Sequence, residues 1–478
     1  MKLIINGYQN RTFAQTMCLI FFPGEKFPED EPKDSKSPVC ILDCEKRDNA
    51  FFAKAVFEAN GKRTGAEALE EYSNDIQEYR TEKRAVGNAI FKAGTDLLGS
   101  PPPWGMLTGV RPAKISEEYI RGGFTYSELS DALINDYHIA KSKAELLTKI
   151  TKNEAEAFTL AEKDTCSLYI SIPFCPSKCA YCSFVSYATN RLLSLIPSYL
   201  ERLCADIKSV CEQIKREGKR IITVYVGGGT PSILTADQLV ILLDAIRRNV
   251  DISSLLEFTV EAGRPDTITK EKMDVLVSNG VGRTSINPQT LNDSVLEGIG
   301  RGHTAEDFYK AYDIARGSGI KCINTDLIAG LPSDSLDSFK MTVDRIISLA
   351  PENVTVHTFT AKRAAEFVTE KKDNDLIYSY TGGAASLSVD YSQHKLDLAG
   401  YEPYYIYRQK NTIGNLENVG FSKPGYIGLY NIFMMEELHN IYAVGAGAVT
   451  KLIFDDGRKI ERRFMPKYPY EYLQSKEN

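Results

Sequence analysis

The chain has 478 residues, and its 57 lysines and arginines against 63 aspartates and glutamates give a formal net charge of −6. That balance leaves no whole-chain electrostatic footprint for nucleic acid or for an anionic membrane surface. Apolar residues make up 43% and charged residues 25%, the composition of a globular protein long enough for about three domains. No apolar run approaches the roughly 20 residues of a membrane span. Met1-Lys-Leu-Ile-Ile-Asn lacks the apolar core and cleavage site of a signal peptide, so a cytoplasmic protein is expected. Ten cysteines in such a chain argue for thiols and metal ligation, not for a disulfide framework.

Residues 1–162 read as an N-terminal α+β domain. Short β-like runs at Thr16–Phe22, Val39–Leu42 and Phe51–Phe57 are separated by polar stretches. A charged helical segment is expected from about Gly65 to Leu98, and more helix from about Ser116 to Glu162. Between them, Ser100-Pro-Pro-Pro-Trp104-Gly breaks the periodicity. Trp104, the single tryptophan, reads first as a rigid loop anchor, with a substrate-contact loop or lid as the functional alternative. Cys40 and Cys44 have no third thiol near them and read as strand-core residues. No catalytic constellation shows in this third of the chain.

From residue 168 strand and helix alternate, with strands expected at 168–172, 222–226, 257–261, 283–286, 322–328 and 353–359. Leu200, Leu203, Ile207, Val210, Cys211 and Ile214 recur at helical spacing and give one buried face. Alternation implies parallel strands joined by right-handed crossovers, and six such units make a partial (βα)6 barrel. By analogy with the complete eight-fold barrel, chemistry belongs at the C-terminal strand ends.

The first of these strands runs through Pro173 into Cys175-Pro-Ser-Lys-Cys179-Ala-Tyr-Cys182, three cysteines within eight residues. Four-cysteine ferredoxin runs supply one thiolate to each iron of a cubane. Three thiolates leave one iron open, which is what binding S-adenosylmethionine (SAM) through its amino and carboxylate groups requires. A structural zinc site wants a fourth ligand, and Cys166 lies too far back along the strand to supply it. Buried inert thiols are common, but three on one short loop are not a packing pattern. Cys175, Cys179 and Cys182 are therefore expected to hold one 4Fe–4S cluster.

The stretch Tyr169-Ile-Ser-Ile-Pro-Phe-Cys175-x3-Cys179-x-Tyr181-Cys182 resembles the radical SAM superfamily. More narrowly it resembles the oxygen-independent coproporphyrinogen III oxidase family and its HemZ-type subgroup, in matched blocks over residues 165–455. The resemblance implies an α/β fold with a partial (βα)6 radical SAM barrel over 163–375. An N-terminal α+β domain would precede it over 1–162, and a substrate-covering α+β extension would follow over 376–478.

It also implies site residues. Tyr169 and Tyr181 match SAM-contacting positions. Gly227-Gly228-Gly229-Thr230-Pro231 follows the second strand. Glycines there let backbone approach a ligand and expose N–H groups to an anion. Alone such a run is an ordinary turn, and it is the resemblance that assigns Gly228, Gly229 and Thr230 to the methionine end of SAM. Glu261 ends the third strand, where a carboxylate accepts from ribose hydroxyls or is a solvated charge ahead of Arg264. Gln289, Arg301 and Asp326 match contacts to a second SAM, and Thr360 matches another that is alanine in the family. A buried Asp326 needs a partner, for which Arg301 or a ligand hydroxyl is expected. His303 and His357, each without a paired carboxylate in sequence, stay unassigned.

The C-terminal run Tyr401-Glu-Pro-Tyr404-Tyr405-Ile-Tyr407-Arg408-Gln-Lys410-Asn411 interleaves aromatics with cations. It suits a flat, carboxylate-bearing ligand and equally a strand with an ordinary aromatic face. Gly445-Ala-Gly447-Ala-Val449-Thr450 matches a family block near the adenosine.

The activity the resemblance implies is oxygen-independent oxidative decarboxylation of coproporphyrinogen III to protoporphyrinogen IX, in haem biosynthesis. A 5′-deoxyadenosyl radical takes hydrogen from the β-carbon of a propionate. Loss of CO2 and one electron leaves a vinyl group, and the sequence repeats once. The cofactors implied are one 4Fe–4S cluster and two SAM; the partners are the tetrapyrrole substrate and a reductant such as flavodoxin or ferredoxin, with no nucleic acid and no membrane span, and a monomer is expected. The alternatives are a haem-binding chaperone of the same superfamily and a tetrapyrrole-modifying radical SAM methyltransferase. Phe184, where the best-known oxidases carry another cysteine, is shared with the chaperones. Their His-Asn pair before Tyr-Trp is not matched at Gly428-Leu-Tyr430-Asn431-Ile.

Overall fold

The computed structural model describes residues 1–28, 37–72, 78–182, 186–360, 383–409, 412–454 and 459–475. Phe184, Lys410 and Asn411 lie outside them. Two compact units divide the chain: residues 1–148, 383–386 and 408–416 belong to the first, and 149–360, 387–407 and 417–475 to the second. No helix among the described residues is long and apolar enough to cross a membrane.

In the first unit, strands β1 (Lys2–Asn6), β2 (Val39–Arg47), β3 (Ala50–Ala59) and β4 (Lys62–Glu71) pair in that order. The β1–β2 pair is parallel and the others antiparallel. Phe51, Ala53, Ala55 and Phe57 alternate on the buried face of β3, packed with the helices Arg11–Phe21 and Glu78–Leu98. Gly94 lets the Phe21 ring approach, since a Cβ there would fall 2.6 Å from it.

Two local expectations are corrected here. The apolar run Thr16–Phe22 is not a strand but the last part of the helix Arg11–Phe21, capped by Asn10, whose side chain accepts from the Phe13 amide. Its buried Ala14, Met17, Cys18 and Phe21 follow helical spacing. Residues 65–71 are not helical either. They belong to β4, whose burial alternates with period two, and the helix starts at Glu78.

The second unit carries the expected half-barrel. Strands β5 (Thr165–Ile172), β6 (Arg220–Gly228), β7 (Glu257–Glu261), β8 (Arg283–Ser285), β9 (Cys322–Ala329) and β10 (Asn353–Thr358) are parallel neighbours in sequence order. Helices cover the outer face. Ile196–Arg216 buries Leu200, Leu203, Ile207, Cys211 and Ile214 of the face read from the sequence, while Val210 is only half-buried at its margin.

The C-terminal segment extends this sheet at both edges. β11 (Glu402–Arg408) and β12 (Glu417–Ser422) follow β10, with β12 antiparallel to it. At the other edge β13 (Asn440–Val444) pairs parallel to β5, and β14 (Val449–Phe454) and β15 (Lys459–Phe464) continue antiparallel. The loop after β13 is bolted to the end of β5: Ser171 Oγ donates to the Ala446 carbonyl at 2.8 Å. The Tyr199 hydroxyl bridges the same two turns, donating to Ser171 O and accepting from the Ala446 amide, both at 2.8 Å. The block Gly445–Thr450 therefore begins beside the end of the strand that leads into the cysteine loop.

Candidate active site

The cysteine loop leaves β5 at its C-terminal end. Its start is pinned by mutual backbone bonds, Cys175 N–H to Tyr187 O at 3.0 Å and Tyr187 N–H to Pro173 O at 2.9 Å. Its far side leans on residues 299–303: Ala180 N–H donates to Ile299 O at 3.0 Å, and Ser177 Oγ to Gly300 O at 3.2 Å. Gly300 has φ +73°, and a Cβ on it would sit 3.2 Å from the Lys178 carbonyl. The Gly300-Arg301-Gly302 stretch thus supports the loop, a connection its spacing in sequence does not announce.

Cys175 and Cys179 are buried. Burial pushes the Cys175 thiol up; hydrogen bonds from Thr230 and Ser186 oppose this, and the neighbouring Cys182 and Cys179 add to it. Donors are aimed at the sulfurs. Thr230 Oγ1 donates to Cys175 Sγ at 3.2 Å, Arg264 Nη1 to Cys179 Sγ at 3.5 Å, and Arg301 Nη1 reaches the same sulfur at 4.0 Å. Arg264 is buried and bidentate to Asp266, both contacts 3.0 Å, whereas Arg301 is buried against the Gly263 and Asn287 carbonyls. Two buried cations beside one thiol, with Arg301 bonded to no carboxylate among the described residues, call for negative charge at this place. An anionic iron–sulfur cluster held by Cys175, Cys179 and Cys182 meets that demand, and N–H donors to its sulfurs are a usual means of tuning one. Among the described residues no three His, Cys, Asp or Glu side chains converge on a single ion. Cubane ligands need not, because each holds its own iron.

The glycine run at the end of β6 packs onto this loop. Gly229 N–H donates to Ile172 O at 2.7 Å and Thr230 N–H to Phe174 O at 2.8 Å, while the Gly228 amide serves Glu261. These N–H groups are spent inside the protein and not exposed to an anion. The reason for glycine is close approach: a Cβ on Gly229 would lie 2.6 Å from Phe174 O and 3.0 Å from Cys175 Sγ.

Inside the half-barrel the strands present polar and aromatic groups. Tyr225 donates to Glu261, so that carboxylate is not a solvated charge. Burial pushes Glu261 up to about 7, with Asp326 adding to the effect and the Tyr225 and Gly228 hydrogen bonds opposing it. Tyr225 stacks on Tyr430 with centroids 4.4 Å apart, and Tyr169 lies 6.2 Å from Tyr225 and 6.1 Å from Tyr430. Tyr430, from the helix Leu429–Glu436, is a contributor the sequence did not reveal. Tyr181 is half-buried beside Cys179 and Arg301, and desolvation raises its phenol.

Asp326 is not partnered by Arg301, whose guanidinium is turned toward Cys179. Its oxygens instead accept from Asn324 Nδ2 at 2.7 Å and Asn287 Nδ2 at 2.8 Å, and His357 Nε2 lies 3.8 Å away. Burial works to raise the Asp326 carboxyl, but His357, Asn324 and Thr355 outweigh it and hold it below the usual carboxylate range. Gln289 follows β8 at φ +67°, a left-handed conformation uncommon outside glycine. Its backbone N–H donates to Asp326 O at 3.0 Å, and its buried Oε1 has no partner among the described residues. A strained, buried acceptor without a donor is the mark of a ligand position. Thr360 is buried just past β10, with Oγ1 3.4 Å from Thr358 O.

His303 is buried beside Arg264 and Arg301, both ring nitrogens without a partner among the described residues, and burial pulls it down to about 3, so it stays neutral. Arg408 is not open to a propionate: it is buried against the Leu107 and Asn415 carbonyls and lies over the Trp104 ring, 5.2 Å from its centroid. A cleft of about 780 Å3 opens at the opposite, N-terminal strand ends, lined by Glu257, Arg283 and Cys322. In barrels of this kind that end carries stability, not chemistry.

A parallel half-barrel with a three-thiol loop after its first strand, cations on the sulfurs and carboxylates on the third and fifth strands defines a radical SAM protein, and the radical SAM superfamily model matches residues 169–346. The chain is 38% identical over 429 residues to the oxygen-independent coproporphyrinogen-III oxidase-like protein HemZ of Bacillus subtilis strain 168, covering 86% of this chain and 84% of that one. The protein therefore belongs to the coproporphyrinogen oxidase-like family of radical SAM proteins. The heme chaperone HemW of Haemophilus influenzae is 30% identical over 315 residues, 64% of this chain and 76% of its own. The solved structure of the Escherichia coli coproporphyrinogen III oxidase HemN, a radical SAM enzyme, matches with TM-score 0.53 at 21% identity, covering 67% of this chain and 70% of that one. That likeness is one of fold. Membership of the family implies a 4Fe–4S cluster and SAM.

Proposed function

We propose that the protein is an oxygen-independent coproporphyrinogen dehydrogenase, converting two propionates of coproporphyrinogen III to vinyl groups with one cluster and two SAM molecules. The observation that carries this reading is the pair of buried guanidiniums, Arg264 and Arg301, turned onto Cys179, in a chain related along 86% of its length to an oxidase-like protein. When bound, the cluster supplies one electron to SAM and so generates the 5′-deoxyadenosyl radical that this chemistry needs.

The chain's own groups bind, orient and exclude water. Arg264 and Arg301 balance the negative charge of the cluster. Glu261, held by Tyr225 and the Gly228 amide, would accept from the ribose hydroxyls of a bound SAM. Gln289 and Asp326 receive the second SAM, and the tyrosine stack walls the interior from bulk solvent. On the substrate, the β C–H hydrogen leaves with the radical. The carbon–carboxylate bond then breaks, CO2 departs, one electron goes to an external acceptor, and the vinyl double bond remains.

The HemW relationship keeps a haem-binding role as the second reading. Anaerobic incubation of the full chain with SAM, a one-electron reductant and coproporphyrinogen III separates the two. CO2 and vinyl porphyrinogens support the dehydrogenase. Stoichiometric haem binding with neither product supports the chaperone, and S-adenosylhomocysteine as sole product supports a methyltransferase.

A further inference from the structure

Three side chains from three strands of one sheet meet inside the half-barrel: Asp326 of β9, His357 of the adjacent β10, and Tyr407 of β11, which lies beyond β12. His357 Nδ1 lies 3.0 Å from the Tyr407 hydroxyl, and its Nε2 lies 3.8 Å from Asp326 Oδ2. If the phenol donates to Nδ1, the ring proton sits on Nε2 and faces the carboxylate. At 3.8 Å that contact is Coulombic or carried by a water, not a direct hydrogen bond.

Asp326 needs such a neighbour. Its other side-chain partners are neutral, the amides of Asn287 and Asn324 and the Thr355 hydroxyl. Glu261 shares the interior, and the two carboxylates act against each other. Among the described residues, His357 and Tyr407 bond each other and not Arg264 or Arg301.

We propose that His357 and Tyr407 are positioning residues for Asp326. Through them a strand of the C-terminal segment sets the carboxylate that receives the hydroxyls and positive charge of the second SAM. This rests on the two-SAM reading above. The C-terminal segment is thereby part of the inner ligand site, and a change in β11 alters occupancy of that site without touching the cluster.

The experiment uses full-length protein, reconstituted anaerobically. Equilibrium dialysis with labelled SAM gives stoichiometry and affinities. The SAM-induced change in the reduced-cluster EPR spectrum reports separately on SAM at the open iron. His357→Ala is expected to weaken the second SAM by about tenfold, the worth of one charge-assisted contact, and to leave the EPR response intact. His357→Gln, whose amide can accept from Tyr407 and donate toward Asp326, is expected to restore it. Two SAM at wild-type affinities in His357→Ala overturns the proposal. Should His357→Ala lose both SAM and the EPR response, Tyr407→Phe decides: it removes one oxygen, and an unchanged second affinity there overturns the proposal. Wild-type protein that binds a single SAM removes the two-SAM reading and this proposal with it, so the two failures are told apart.

Discussion

Asn287 and Asp326 are joined twice. The Asn287 amide donates to Asp326 Oδ2 at 2.8 Å, and the Asp326 backbone N–H donates to Asn287 Oδ1 at 3.1 Å. The Asn287 carbonyl meanwhile accepts from Arg301, whose other arm reaches Cys179. One asparagine therefore sits between the cysteine loop and the carboxylate of β9. Asn287→Ala removes only its side chain, leaving the Asp326 amide without an acceptor while the bond from Arg301 remains. It is expected to lower stability by about 1–3 kcal/mol and to leave iron content unchanged. Denaturant titration of the anaerobic protein with an iron assay reads both, and loss of iron at unchanged stability would reverse the assignment.

The close approach of Gly229 to Cys175 leads to a sharper expectation. A methyl group 2.6 Å from Phe174 O and 3.0 Å from Cys175 Sγ has nowhere to go, because the first of these is backbone. Gly229→Ala is expected to push the cysteine loop away and sharply reduce iron incorporation. Gly298→Ala, where a Cβ meets nothing within 4 Å, is the control and should incorporate iron as wild type does. Equal iron in both variants contradicts the packing argument.

How much of this was legible follows from distance along the chain. Cys175, Cys179 and Cys182 were readable because a cluster loop is a local object, and the six barrel strands because their apolar runs alternate with helical spacing. The run Thr16–Phe22 was misread because a short apolar stretch fits strand and helix alike, and the cap that settles it, Asn10, lies outside the run. Arg301 was noticed, but its target was not. Asp326 has a suitable charge, yet the fold turns the guanidinium to Cys179 and gives Asp326 to Asn287, Asn324 and His357. Tyr430 lies more than two hundred residues after Tyr169 and Tyr225, and Tyr407 fifty after His357, and no periodicity links them.

Glu261 links the site to pH. Burial first, then Asp326, raise it to about 7 in the fold, above the ordinary glutamate value. The fold thus favours its protonated form. Its contribution to stability is complete below the unfolded pKa near 4.5 and is lost as pH rises through about 7. Glu261→Gln, neutral throughout, is expected to gain on wild type as pH goes from about 5 to about 8 in denaturant titrations of the ligand-free chain. A difference between the two proteins that does not vary with pH would remove this account of Glu261.

Arg264 offers a redox readout. It is buried, with Nη1 3.5 Å from Cys179 Sγ, and reduction adds negative charge to a cluster bound there. Arg264→Met keeps much of the stem and removes the cation. The reduced state then loses a stabilising neighbour, so the cluster potential should fall. An EPR-monitored titration measures this, and a potential equal to or above that of wild type speaks against the role given to the guanidinium.

The first unit has its own test in Arg408. Its guanidinium donates to the carbonyls of Leu107 and Asn415 and lies over Trp104, the chain's single tryptophan, which is 1% exposed. Arg408→Ala strips two carbonyls of a charged donor and one face of the indole of its cover. The expected cost is about 2–3 kcal/mol, together with a red shift of the tryptophan emission as water reaches the ring. Because one indole supplies all of that signal, the shift reports on this loop alone. Emission unchanged from wild type would mean that the proline-rich loop holds Trp104 without Arg408, and the fastening would then have to be sought in the packing of Leu107 and Met106, both buried beside it.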